Sequence, residues 1–253
     1  MSNATRLSLR LTGLTLFLII WELVGRYLGE ALMAPPSAVA RELVALAEDA
    51  QARATIWQSI APALVGFAIA CAVGMPVGVV MGRSPIWNAL LHPWVSTLVV
   101  TSVAAIVPIL ILLIGAGWWF VVAVVVLSSV WYVTLTTYQG AVRIERRWLD
   151  VGRSFGASRL RSFRTIMLPA LFPYLLAGAR IGLTHAIRSM VLAQLFIVSG
   201  IGGMLNEAGM DVSTARLLAL LVVIMAIGLI ASHGLGRLAD WLAPWQRGLE
   251  PRR

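Results

Sequence analysis

Between Arg83 and Arg143 the chain runs for 59 residues without an aspartate, glutamate, lysine or arginine. Water-soluble domains carry charge at roughly 25% of positions, so a run of this length has no place on an aqueous surface. A membrane-crossing helix needs about 20 apolar residues, and this interval holds two. A second charge-free interval, from Arg53 to Arg83, holds one more. The rest of the 253-residue chain agrees, with 59% of residues hydrophobic, 12% charged and a mean hydropathy of +0.87. The chain reads as an all-α integral membrane protein, a single transmembrane domain over residues 1–253.

Six apolar segments follow the length rule: Leu11–Leu28, Ala61–Met81, Val95–Ile114, Trp118–Tyr138, Tyr174–Val198 and Ala215–Leu235. Gly115-Ala116-Gly117 leaves a tight turn between the third and the fourth. Pro62, Pro76 and Pro108 fall in or at the start of spans, where neighbouring helices satisfy the backbone groups they free. The first segment exceeds the roughly 7–15 apolar residues of a signal peptide, and Glu22 interrupts it. It reads as a retained span.

Charge sets the sides. All 20 basic residues are arginine, and the net charge is +9. With the N-terminus inside, 14 of the 20 fall on cytoplasmic segments and only Arg41 and Arg53 on external ones. This is the asymmetry of cytoplasmic loops, so both termini are expected in the cytoplasm, and the positive charge reflects topology rather than nucleic-acid binding. Cys71 is the only cysteine, and His92, His185 and His233 have no ligand spacing. Neither disulfides nor a metal site is expected.

The external stretch from Pro35 to Ile60 is too polar to cross. With Ser37 as N-cap, Val39, Leu43, Leu46 and Ala47 share one face, which predicts an amphipathic helix at the outer interface. Trp94, Trp118, Trp119, Trp241 and Trp245 fall near predicted membrane boundaries, where aromatic belts form.

The most informative segment is the cytoplasmic loop of residues 143–173, with seven arginines against Glu145 and Asp150. Residues 146–155 read as a short helix, and Gly156 supplies a positive φ for a sharp break. Ser158 caps a second helix in which Leu160, Phe163 and Met167 share a face, and Pro169 ends it. A helix-break-helix with an apolar stripe and a basic flank is a docking surface. The alternatives are a loop folded back on the bundle or one that touches anionic lipid.

This loop resembles the EAA loop of binding-protein-dependent ABC importer permeases, E-A-A-x3-G-x9-I-x-L-P. The chain has Asp150-Val151-Gly152, then Gly156, Ile166, Leu168 and Pro169 at matching spacings. The triplet departs from the pattern: Asp150 keeps the carboxylate, while Val151 and Gly152 replace the alanines. Met33-Ala34-Pro35-Pro36-Ser37-Ala38-Val39, Gly74-Met75-Pro76-Val77-Gly78, Thr137-Tyr138-Gln139-Gly140-Ala141-Val142 and Gly200-Ile201-Gly202 resemble further family motifs. The branch most resembled is that of nitrate, sulfonate, taurine and bicarbonate permeases, with a family core of about residues 55–240.

The resemblance implies the transmembrane domain of a type I importer, with the loop as its coupling helix. It also implies a second permease copy, two cytoplasmic ATPases under the loops, an external solute-binding protein, and the bacterial inner membrane as location. ATP and magnesium would belong to the ATPases. This chain has no G-x4-G-K-[ST] motif and no lysine to build one, so it is expected to be a non-catalytic subunit that holds no cofactor itself. The expected cargo is a small organic or inorganic anion. A neutral or zwitterionic vitamin precursor on the same architecture, or a stand-alone channel or secondary transporter, are the competing readings.

Ionisable groups inside spans are functional candidates. In the fifth segment Arg180, Thr184 and Arg188 share a face, with His185 at its edge. Arg188 and His185 are candidate pathway residues, against a reading in which Arg188 pairs with backbone carbonyls or a partner subunit. Glu22 and Arg26, at i and i+4, read as a local ion pair. Gln194 stands where related permeases often carry glutamate, which puts a charged gating role in doubt here.

Overall fold

The structure is a computed structural model and describes residues 3–244. Trp245 and the expected cytoplasmic arginines Arg247, Arg252 and Arg253 lie outside the described residues. Eleven α-helices account for nearly all of the described chain, and no strand occurs among the described residues.

Helix α1 (Asn3–Leu28) is the first span, and its apolar side chains are exposed almost all round. Helix α2 (Pro36–Glu48) is the expected amphipathic helix, with Ala38, Val39 and Leu46 buried. Its N-cap is Pro35, not Ser37. Pro36 occupies the first turn, where a missing N–H costs nothing, and this shifts the cap back by two residues. Ser37 is engaged elsewhere: its N–H and hydroxyl both donate to Glu22, at 3.1 and 2.7 Å. The Glu22–Arg26 pair is present at 2.7 Å, so Glu22 joins α1 to the start of α2 as well.

The second half of the external stretch belongs to α3 (Ala50–Arg83), a helix of 34 residues. Asp49 caps it by accepting from the Gln51 N–H at 2.8 Å. Gly66, Ala70, Gly74, Gly78 and Met81 are buried along it, and the glycines face α6 (Trp118–Arg143). A β-carbon at Gly78 would sit 2.5 Å from the Thr134 carbonyl oxygen and 2.7 Å from Thr137 Cβ. Small residues every fourth position let two backbones approach this closely, as in membrane helix pairs generally.

The third apolar segment is not one straight helix. It forms the second half of α4 (Pro85–Val100) and all of α5 (Val103–Ile114), bent by 100° at Thr101–Ser102. Both linking residues are extended, and the Tyr132 hydroxyl donates to the Val99 carbonyl at 3.1 Å, satisfying one acceptor freed by the break. Counting the bent pair as one span gives six.

Helices α7 (Arg146–Ser154) and α8 (Arg159–Ser162) form the loop expected on the cytoplasmic side. A π-helical turn, Phe163–Met167, joins α8 to α9 (Leu168–Phe196), which is the fifth span. Helix α10 (Gly200–Met210), between the fifth and sixth spans, was not expected, and α11 (Thr214–Leu242) is the sixth span. The core lies between α3, α5, α6, α9 and α10 around Phe120, Val124, Val125, Met190 and Ile201. A second cluster packs α2 on α10 and α11 through Val39, Leu46, Ala208 and Leu220.

Candidate functional site

The basic loop of residues 143–173 is fastened to the bundle at its root. Ile144, Met167 and Leu171 form a buried cluster with Ala141, and Arg83 donates to the Ile144 carbonyl at 3.1 Å. On α7, Leu149 turns inward while Trp148 and Val151 are exposed. Gly152 is buried, and a β-carbon there would lie 2.5 Å from Ile166 Cδ1. The second small residue of the EAA triplet is thus a contact between α7 and the turn before α9. The obstruction is the tip of a flexible side chain, so Gly152→Ala is expected to cost no more than about 1 kcal/mol, measured as a small change in thermal midpoint of the purified protein.

Gly156 has φ +76°, and the Ala157 N–H donates to the Gly152 carbonyl at 3.0 Å. That long backward bond is the closing bond of a Schellman helix end, as the glycine predicted. Ser158 caps α8 by accepting from the Arg161 N–H at 3.3 Å. Two expectations need correction. Pro169 does not end the second helix; it occupies the first turn of α9. The π turn allows this, because the Leu168 N–H bonds back to Phe163 and the widened turn leaves room ahead of the proline ring. The same extra residue rotates the predicted stripe: Met167 packs inward, while Leu160 and Phe163 stay exposed.

The result is an apolar surface of Trp148, Val151, Phe155, Leu160 and Phe163, with Phe155 86% exposed. Arg147, Arg159, Arg161 and Arg164 are exposed on the same loop. Asp150 is exposed beside a cleft of about 510 Å³ that it shares with Arg83, Arg159 and Ser162. Ile166 is half-buried, and Leu168 is exposed. Membrane-facing apolar residues are ordinary in such a chain, but these lie on a basic loop outside the predicted spans.

The intramembrane candidates sit elsewhere, on α9. Arg180, Thr184 and Arg188 are all exposed on one face, as the spacing predicted. His185 is half-buried and stacks on Tyr132 with ring centroids 3.6 Å apart and planes 15° from parallel. His185 and Arg188 line a cleft of about 430 Å³ together with Tyr132, Ser189 and the Thr101–Ser102 break. An arginine at the centre of a membrane helix costs about 2.5–3.5 kcal/mol on insertion scales, which keeps Arg188 a functional candidate. Tyr132 and the break were missed because both lie inside an uninterrupted apolar run. Gln194 is buried and accepts from the Gly202 N–H at 3.3 Å, while Ser59 accepts from the Ile201 N–H at 2.9 Å. Together they hold the start of α10, a role a neutral amide performs.

The family of binding-protein-dependent transport system inner membrane components matches residues 74–248. The chain belongs to this family. The permease is 30% identical over 244 residues to a probable ABC transporter permease of Brucella abortus strain 2308, covering 94% of this chain and 98% of the relative. It is 28% identical over 248 residues to the taurine transport system permease protein of Escherichia coli K12, covering 95% and 90%. It is 27% identical over 249 residues to the bicarbonate transport system permease protein of Synechococcus elongatus, covering 94% and 88%. Among solved structures, a chain of the MetNI methionine ABC transporter in inward-facing conformations aligns with a TM-score of 0.59 at 17% identity, covering 78% of this chain and 94% of that one. That likeness supports the fold, a type I ABC importer transmembrane domain. The permease is therefore a multi-pass membrane translocation subunit, a role for which no catalytic centre of its own is required, and not a stand-alone channel.

Proposed function

We propose that this permease forms, with a second copy of itself, the pathway of an ATP-driven inner-membrane importer for a small anion. Its relatives' names support the substrate class, since they include taurine, bicarbonate and nitrate permeases. A solute-binding protein delivers the cargo outside, and two ATPases dock beneath the loops inside, where both termini of the chain also lie. ATP and magnesium bind the ATPases, and this chain holds neither. Asp150, Gly156, Ser158, Leu160, Phe163, Ile166, Leu168 and Pro169 make up the coupling loop. Leu160 and Phe163 enter a cleft of the ATPase, Gly156 and Ser158 set the angle of the docking helix, and Ile166, Leu168 and Pro169 pass its motion to α9.

The observation that carries this reading is the exposed apolar surface on a basic loop that is rooted in the bundle. A partner that covers Leu160 and Phe163 gains apolar burial, at roughly 1.5–3 kcal/mol for each fully buried side chain. The double variant Leu160→Asp, Phe163→Asp, coexpressed with the ATPase of the same transport system, is expected to purify as a folded permease without ATPase. An ATPase that copurified undiminished would remove the assignment of this loop as the docking surface.

A further inference from the structure

Arg188 has neither an ion pair nor a hydrogen-bond partner among the described residues. Helices α4, α5, α6 and α9, which line the cleft beside it, contain no aspartate or glutamate at all. A second copy of the chain would not supply a counter-ion from mid-span either. Glu22 is the one carboxylate within the six predicted segments, and it is already held by Arg26 and Ser37. Escape to the outer aqueous boundary is distant: eight residues, about 12 Å of helix, separate Arg188 from the end of α9. The cation therefore lies near the middle of the fifth predicted span, with no carboxylate on the helices lining its cleft to balance it.

Its surroundings are suited to a transient anion. The cleft it lines opens at the 100° break between α4 and α5, where the backbone is extended and the Ser102 side chain makes no capping bond. The α6 and α9 sides of the cleft are braced against each other: Tyr132 is fixed at one end by its bond to Val99 and across its face by His185, and the Ser128 hydroxyl donates to Ser189 at 2.6 Å. A planar guanidinium presents paired N–H donors that match two oxygens of a carboxylate, sulfonate or other oxyanion.

We propose that the cleft at the α4–α5 break is an anion subsite in which the Arg188 guanidinium receives the oxyanion group of the passing solute. Tyr132 and His185 act as positioning residues that keep the wall rigid. This rests on the importer reading for the identity of the cargo, but its test needs no ATPase. The native thiol is removed by Cys71→Ala, and Ser102→Cys places a reporter thiol in the cleft of the full chain in lipid nanodiscs. Two methanethiosulfonate probes are compared, one carrying a sulfonate and one a trimethylammonium group, each rate divided by that with free cysteine. A cleft of one sign raises encounter rates with the opposite sign by about tenfold or more, so the sulfonate probe is expected to be favoured by that factor. Arg188→Gln should bring the ratio near unity, and Arg188→Lys should keep a clear preference for the sulfonate. Equal ratios with and without the Arg188→Gln change, or no reaction of the reporter thiol with either probe, would overturn the subsite. Either result would leave the ATPase-docking assignment untouched.

Discussion

Replacing Gly78 by leucine is expected to prevent the bundle from assembling. The nearest atoms to a β-carbon at this site include a backbone carbonyl, Thr134 O at 2.5 Å, which cannot rotate away as a side chain can. Helices α3 and α6 would have to separate, and the neighbouring close approaches at Gly74 and Gly82 would open with them. Overpacking by a few methylenes typically costs about 1–3 kcal/mol, and Gly78→Ala, which adds one methyl, is expected to lie in that range. Gly78→Leu adds branched bulk at the same point, and should abolish recovery of monodisperse protein in detergent. Gly234→Ala, at a glycine with no neighbour within 4 Å, should change the stability by no more than a surface substitution does, about 0.5 kcal/mol. If Gly78→Leu purified with the stability of the parent, the α3–α6 contact would not be the central support of the fold.

Gly156→Val is expected to separate ATP hydrolysis from transport. No neighbour obstructs a side chain there, so the effect comes from the backbone: φ is +76°, and a β-branched residue held in such a region costs about 1–3 kcal/mol. The strain relaxes most readily by rotating α8 against α7, because this is the point where the two helices are joined by a single turn. In proteoliposomes holding the permease, its ATPases and the binding protein, uptake should fall at least tenfold, the factor given by about 1.4 kcal/mol. Hydrolysis by the assembled complex should persist. Undiminished uptake by the variant would show that the angle between α7 and α8 does not carry the coupling.

Much of this architecture was legible because membrane insertion is a demanding filter. Charge placement marked the span ends and the basic loop between the fourth and fifth spans, and Gly156 and Ser158 announced a break and a cap that are both present. The failures have a common origin in residues whose local signal was ambiguous. Thr101 and Ser102 carry neither proline nor glycine, so the bend between α4 and α5 is invisible in an apolar run. Its freed Val99 carbonyl is satisfied by Tyr132, 33 residues away in sequence, a partner no local window contains. Pro169 is compatible with either end of a helix, and only the π turn before it decides which. Helix α10 carries Gly200, Gly202, Gly203 and Gly209 within 11 residues, a composition that argues for a loop until Ser59 and Gln194 supply its missing N-terminal partners.

The π turn has a mechanical consequence. Because Pro169 begins α9 instead of ending α8, no loop separates Phe163 from Arg188: about 25 positions, close to 38 Å at 1.5 Å per residue, lie along one continuous helical path. Breaks occur only beyond its two ends, at Gly156 and at the positive-φ residue Val198. On the docking and subsite proposals made above, such a path would act as a lever, pushed near Leu160 and Phe163 at one end and carrying the Arg188 guanidinium at the other. A tilt of a few degrees at the near end becomes a sideways displacement of about an ångström or more at the far one, so on those proposals a push on the loop and the hold on an anion in the cleft would be two readings of the same rotation.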